Sequence, residues 1–268
     1  MKDYLQSIIA EKPNIMLKRS AVREYLQARI LQSMQDNKAF LDMAFIGGTS
    51  LRFLYSIPRY SEDLDFSKLP DKDIDFDYLL HRIIRDFEAE NYLVKIKKGK
   101  PKIVLSSFVK FPYLLYELGI SPHRDETISV KLEIDTNPPG GEATETTITR
   151  KYITLNILHY DRPSLFAGKL HSILTRKYTK GRDLFDLIWF LSSSEWPEPN
   201  YVLLNNALSQ TGWKGPEINT DNWKKIVRDH VEDLNWKQVS ADVLPFLERE
   251  GDQYLLTWEN CKSLLDKF

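Results

Sequence analysis

The sequence predicts an α/β fold of the α+β kind, with a sheet and its bracing helices over residues 1–158 and a helical domain over 159–268. Three observations predict it. An apolar run, Phe45-Ile46, enters a Gly47-Gly48 turn and continues as Thr49-Ser50-Leu51-Arg52, so strand, turn and helix follow one another directly. Ile128-Ser129-Val130-Lys131-Leu132-Glu133-Ile134-Asp135 alternates apolar and polar residues with the period of a half-buried strand. Near His159 that pattern gives way to helical spacing.

The chain is long enough to bury a substantial core: 268 residues, of which 42% are hydrophobic and 28% charged. Its 37 basic and 38 acidic residues leave a formal net charge of −1, so a nucleic-acid partner is held by a local patch and not by a global basic field. Cys261 is the only cysteine, which excludes an internal disulfide, suits a reducing cytosol and is expected to pack in the last helix. The start, Met1-Lys2-Asp3-Tyr4-Leu5, lacks a signal-peptide pattern, and there is no run of about 18 apolar residues. A cytoplasmic location without membrane contact is expected. The five histidines lack metal-ligand spacing, which argues against zinc.

In chain order, Leu17, Val22, Tyr25, Leu26, Ile30, Leu31 and Met34 predict a helix over residues 17–36 that braces the strand ending at Gly47. Leu51, Phe53, Leu54 and Tyr55 predict a short helix closed near Pro58, with Thr49 or Ser50 as its cap. The acidic run Asp71–Asp77 reads as a helix N-terminus, because carboxylates favour the positive dipole end and Tyr78, Leu79, Ile83, Ile84 and Phe87 continue with helical period. Tyr92–Lys102 predicts a β-hairpin with a basic tip at Gly99-Lys100-Pro101. Two readings of its Lys95, Lys97, Lys98, Lys100 and Lys102 stand: guards of a sheet edge, or a finger on an RNA phosphate backbone. Phe108–Ile120 continues the sheet, Pro138-Pro139-Gly140-Gly141 is a loop, and Thr144–Thr149 pairs with Tyr152–Leu155. Helices are expected over Pro163–Leu174 and Arg182–Phe190 and through the remainder from about Trp196, with Trp213, Trp223, Trp236 and Trp258 as packing aromatics.

The chemistry gathers around the glycine turn. Gly47 and Gly48 lack Cβ atoms, so backbone N–H groups can approach a phosphate, and the following helix offers its positive end. Ser50 can add a hydroxyl donor. In Asp63-Leu64-Asp65 the strand period sets both carboxylates on one face, where they repel unless a cation such as Mg²⁺ lies between them. A third carboxylate is available from Glu133 or Asp135, which share a strand face with Lys131. Arg52 and Arg59 bracket the segment and either meet a triphosphate or pack.

Gly47-Gly48-Thr49-Ser50-Leu51-Arg52 with Ser61-Glu62-Asp63-Leu64-Asp65-Phe66 resembles the AbiEii/AbiGii toxin family of polymerase-beta-like nucleotidyltransferases. The likeness extends to the Lys-x-acid pattern at Glu133, to Lys169 in Phe166-Ala167-Gly168-Lys169-Leu170, and to Arg176 and Arg182-Asp183-Leu184-Phe185-Asp186-Leu187. It spans roughly Phe45 to Phe190 in four segments whose order is specific though each is weak alone. The resemblance implies a nucleotidyltransferase core with a mixed sheet, a C-terminal helical bundle, and the toxin of a toxin–antitoxin or phage-defence pair with a cognate antitoxin protein.

It also implies roles. Asp63 and Asp65 hold Mg²⁺ with a third acid, Glu133 first and Asp135 in reserve. Gly47, Gly48, Thr49, Ser50, Arg52 and Arg182 bind the nucleoside triphosphate, and Lys169 clamps its phosphates. Asp183, towards the start of its helix, accepts a proton or orients Lys169, with Asp186 competing for that role. The implied reaction transfers a nucleotidyl group to an acceptor, with tRNA or another RNA expected. A protein or small-molecule acceptor, transfer of the terminal phosphoryl group, and a non-catalytic binding protein are the alternatives; the intact Asp63/Asp65 pair argues against the last.

Overall fold

The computed structural model describes residues 2–100 and 102–267. Two helices, α1 (Lys2–Ala10) and α2 (Ile15–Asp36), precede β1 (Met43–Ile46), α3 (Gly47–Leu54), β2 (Asp63–Lys68) and α4 (Phe76–Glu88). There follow β3 (Lys95–Lys98), β4 (Val104–Pro112), the single turn α5 (Leu114–Glu117), β5 (Thr127–Asp135), β6 (Thr144–Arg150) and β7 (Thr154–Tyr160). Among the described residues six further α-helices follow: α6 (Arg162–Thr175), α7 (Gly181–Leu191), α8 (Tyr201–Gln210), α9 (Trp223–Val231), α10 (Trp236–Val243) and α11 (Trp258–Lys267). These elements divide into two compact units, one of residues 1–56, 60–137 and 145–159, the other of residues 57–59, 138–144 and 160–268.

In the first unit the strands lie in the order β3-β4-β5-β2-β1-β7-β6. The sheet is mixed, because β2 runs antiparallel to β1 but parallel to β5, and β1 runs parallel to β7. Alternation decides its faces. Leu64, Phe66, Val109, Phe111, Val130, Leu132 and Ile134 are at most 1% exposed on the core side. Against them pack α2, whose start is capped by the Asn14 side chain accepting from Leu17 N–H, and α4, capped likewise by Asp75 accepting from Tyr78 N–H. Phe87 of α4 meets Phe111 edge-on at 4.9 Å, and Phe45 stacks on Phe66 at 5.2 Å. The other face of β2, β5 and β4 carries the polar residues of each alternation.

A hairpin is present, but its returning strand lies beyond the expected Tyr92–Lys102: β3 pairs antiparallel with β4, which starts at Val104; Lys95, Lys97, Lys98, Lys100 and Lys102 are exposed, and Pro101 lies outside the described residues. Three further elements differ from expectation. The sheet run that starts near Phe108 ends at Pro112, where Tyr113 takes a left-handed φ of 63° and opens α5. β7 continues beyond Leu155 to Tyr160, because Ile157 and His159 face inward and are fully buried. α1 carried no sequence reading; Leu5 and Ile9, four apart, bury its inner side.

The second unit is helical. Asp161 caps α6 by accepting from Ser164 N–H, with Pro163 in the first turn. Phe166 of α6 packs against Phe190 at 4.8 Å and Trp223 at 5.5 Å. Of the four tryptophans read as packing aromatics, Trp223 is fully buried while Trp213, Trp236 and Trp258 are half-buried. Cys261 is buried in α11, and burial pushes its thiol up to about 12. No helix among the described residues is long and apolar enough to cross a membrane.

Candidate active site

In the first unit, the polar sheet face carries the carboxylates. Asp63 and Asp65 share one side of β2, and parallel pairing with β5 sets Asp63 opposite Lys131, Asp65 opposite Glu133 and Ser67 opposite Asp135. Asp65 and Glu133 are therefore direct cross-strand neighbours, whereas Asp135 lies one step further along. Its Oδ1 accepts the Asn137 N–H at 2.9 Å, closing a turn. On its other side Asp65 is opposite Ile46, the last residue before the glycine turn.

That register explains Gly47. Its φ is +79°, which an L side chain rarely adopts, and a Cβ there would come within 2.4 Å of Asp65 Oδ2. The Asp65 carboxylate thus lies against the start of α3, where unpaired N–H groups and the positive dipole end face an anion. Gly47→Ala is expected to destabilise the fold by about 1–3 kcal/mol through backbone strain and to displace Asp65. A lowered urea midpoint together with lost activity checks this; a variant as stable and active as the parent would show the close approach to be dispensable.

Two expectations at the turn change. α3 begins at Gly47, so neither Thr49 nor Ser50 is its cap: the Thr49 hydroxyl donates to the Asp63 carbonyl, tying α3 to β2, and the Ser50 hydroxyl donates to the Gly47 carbonyl at 2.8 Å. Both are fully buried and serve the turn's own shape. Arg52 is 4% exposed, with Nε donating to Glu24 Oε2 at 2.6 Å and its guanidinium 4.7 Å over the Tyr60 ring. Glu24 also accepts from Tyr152 and pairs with Lys151, so a buried charge on α2 anchors the arginine.

Lys131 faces the carboxylates. Its Nζ is 2.8 Å from Glu133 Oε2. Burial favours the neutral amine, but the hydrogen bond and charge of Glu133, with the fields of Asp63 and Asp65, outweigh this and hold Lys131 above the usual lysine value. Among the described residues no three His, Cys, Asp or Glu side chains converge as a ready metal cage. The donor set nevertheless fits a hard divalent cation: all are carboxylate oxygens, on one face, from adjacent strands.

The second unit holds the other candidates in one buried ionic cluster. Lys169 Nζ is 3.2 Å from Asp183 Oδ1 and 2.7 Å from Asp186 Oδ2. Asp183 is further bonded to Arg176, which is 39% exposed. Asp186 is fully buried and receives the Arg59 guanidinium two-pronged, Nε to Oδ1 at 2.5 Å and Nη2 to Oδ2 at 2.6 Å. Burial of Asp186 favours the neutral acid, yet Arg59 and Lys169 outweigh it and hold the carboxyl below the usual range. Arg182 lies 4.0 Å over the Phe246 ring.

Sequence reading missed Glu24 and the Arg59–Asp186 pair, for which it held no signal; it set Lys131 on one strand face with Glu133 and Asp135, and the structure adds that Lys131 is ion-paired with Glu133.

The family described as "Nucleotidyl transferase AbiEii toxin, Type IV TA system" matches residues 29–260. No curated protein matches the chain. Among solved structures, JHP933 from Helicobacter pylori is similar at 20% identity and a TM-score of 0.55, covering 92% of each chain. MenT4, a nucleotidyltransferase toxin from Mycobacterium tuberculosis H37Rv, is similar at 15% identity and a TM-score of 0.50, covering 99% of each chain. These likenesses bear on the fold.

Proposed function

The chain belongs to the nucleotidyl transferase AbiEii toxin family of type IV toxin–antitoxin systems, and from that premise we propose that it is a cytoplasmic, Mg²⁺-dependent enzyme that transfers a nucleotidyl group from a nucleoside triphosphate to RNA, tRNA foremost. The observation that carries the reading is the register of β2 against β5, with Asp65 directly across from Glu133, Asp63 on the same face, and Asp65 against the Gly47 turn.

In this reading Asp63, Asp65 and Glu133 hold the cation, Glu133 leaving Lys131 to do so. The bound metal would neutralise charge on the phosphates and on the departing pyrophosphate. The N–H groups opening α3 at Gly47 and Gly48 bind phosphate, with Thr49 and Ser50 holding the turn in shape. An acceptor hydroxyl forms a bond to the α-phosphorus, the bond from that phosphorus to the bridging oxygen breaks, and pyrophosphate leaves. Lys169 is proposed as the cationic contact for phosphate, Asp183 as the group that takes the hydroxyl proton or orients Lys169, and Arg182 as a nucleotide contact. Arg52 supports α3 from behind through Glu24. The family supports an antitoxin partner, and blocked growth or phage propagation as the outcome.

The test incubates purified protein with Mg²⁺, cellular RNA and each nucleoside triphosphate, labelled at either the α- or the γ-phosphate. α-Label on a tRNA-sized band, absent with γ-label and absent in an Asp63→Ala, Asp65→Ala variant, is expected. γ-Label on the acceptor would instead assign terminal phosphoryl transfer. RNA left unlabelled by every nucleotide would remove the RNA-directed reading.

A further inference from the structure

The polar face does not end at the carboxylates. Reading across the sheet, Asp63 on β2 is opposite Lys131 on β5, Lys131 is opposite Phe108 on β4, and Phe108 is opposite Lys97 on β3. All four side chains therefore share one face. In the next row Lys110 is opposite Lys95, and along β4 the same-face neighbours of Phe108 are Ser106 and Lys110. Phe108 is 38% exposed although every residue around it on this face is polar or charged. An aromatic ring placed among polar neighbours keeps part of its face open to solvent, where a second flat ring can stack.

The lysines divide by the same alternation. Lys98 points to the opposite side and is paired with Asp77 at 2.6 Å. Lys95 and Lys97 are exposed beside Phe108, and among the described residues no ion pair engages Lys95, Lys97 or Lys110. Guarding a sheet edge accounts for lysines on β3 but not for an exposed phenylalanine on β4, one strand inward.

We propose that this face is the acceptor platform: an unpaired base at the end of a single-stranded RNA stacks on Phe108, while Lys95, Lys97 and Lys110 hold its phosphates. The proposal rests on the nucleotidyltransferase reading and names the form of acceptor for the same site. A polyanion matches the lysines, and a ring that every base can cover matches Phe108, a match that a duplex with its bases stacked inside does not offer. Two strand spacings, about 10 Å, separate Phe108 from Asp63, so a strand lying along the row delivers its terminus to the carboxylates.

The experiment measures binding of a short fluorescent single-stranded RNA by anisotropy, and KM for RNA in the α-label reaction, in the full chain. Phe108→Ala is expected to weaken RNA binding about ten- to a hundred-fold and raise KM for RNA in step, with KM for nucleotide unchanged, and Phe108→Trp to restore both. Lys97→Ala with Lys110→Ala should flatten the slope of log K against log salt by about 1.4. Matching urea midpoints exclude misfolding. If the parent labels RNA while Phe108→Ala and the lysine pair behave like it, the platform is overturned and the transferase reading stands. If the parent labels only protein, the platform and the RNA-directed reading fall while nucleotidyl transfer stands; if the parent labels nothing, both fall.

Discussion

Asp65→Asn and Glu133→Gln are each expected to lower nucleotide transfer about 10²-fold or more, while Asp135→Asn stays within a few-fold of the parent. The register dictates this order. In the proposed assignment a cation between β2 and β5 would be held by Asp65 and Glu133, directly opposite each other, and by Asp63 on the same face. Asp135 lies opposite Ser67, and one of its oxygens is used on the Asn137 N–H. By analogy with the loss of one oxyanion-hole donor, which removes about 2.7–4 kcal/mol of transition-state stabilisation, each substitution takes away one group that would stabilise charge in phosphoryl transfer. Glu133→Gln removes the charge of the proposed cross-strand ligand, the same charge that pairs with Lys131 when no cation is bound. Steady-state rates with α-labelled nucleotide, beside urea midpoints for each variant, measure the effect. An Asp135→Asn loss equal to that of Glu133→Gln would sink the assignment.

The fold was legible where a single period dominated. The strand alternation of Ile128–Asp135, the Gly47-Gly48 turn and the helical spacing of α2, α6 and α7 each state their element locally. β7 was cut short because apolar Leu158 takes the half-buried outer position and polar His159 the buried inner one, so the apolar–polar alternation that marks a strand is broken in the sequence. At the site, sequence showed which residue types could do the chemistry but not which charges already had partners. Nothing in the spacing of Arg52 or Arg59 reveals that the first meets Glu24, 28 residues away, and the second Asp186, 127 residues away. Likewise Thr49 and Ser50 are a cap or an internal brace according to where the helix starts, and the left-handed Gly47, a property of the turn's geometry, sets that start. The separation of Asp183 from Asp186 is the same problem: three residues apart they share a face, and only their partners tell them apart.

Those partners predict that Asp186→Asn destabilises the helical unit by about 3–5 kcal/mol, while Asp183→Asn loses activity with about 1 kcal/mol of stability. Neutralising Asp186 takes from the Arg59 guanidinium, itself 1% exposed, its two-pronged carboxylate, and from the Lys169 ammonium the nearer of its two carboxylates, leaving Asp183 at 3.2 Å. Asp183 has one partner that reaches solvent, Arg176, which can rehydrate when the charge is lost. In chemical denaturation Asp186→Asn should therefore shift the midpoint far more than Asp183→Asn, and Arg59→Met with Asp186→Leu should recover part of the loss by replacing charge with apolar packing. The pH dependence has a definite sign. Because the folded Asp186 carboxyl lies below its unfolded value of about 4, its contribution is complete above that value and is lost as pH falls towards the folded pKa. The parent should lose stability in acid more steeply than Asp186→Asn, which has no such proton to take up. Equal acid slopes, or an Asp183→Asn midpoint as low as that of Asp186→Asn, would show that the two aspartates share the structural load and that Arg59 does not set Asp186 apart.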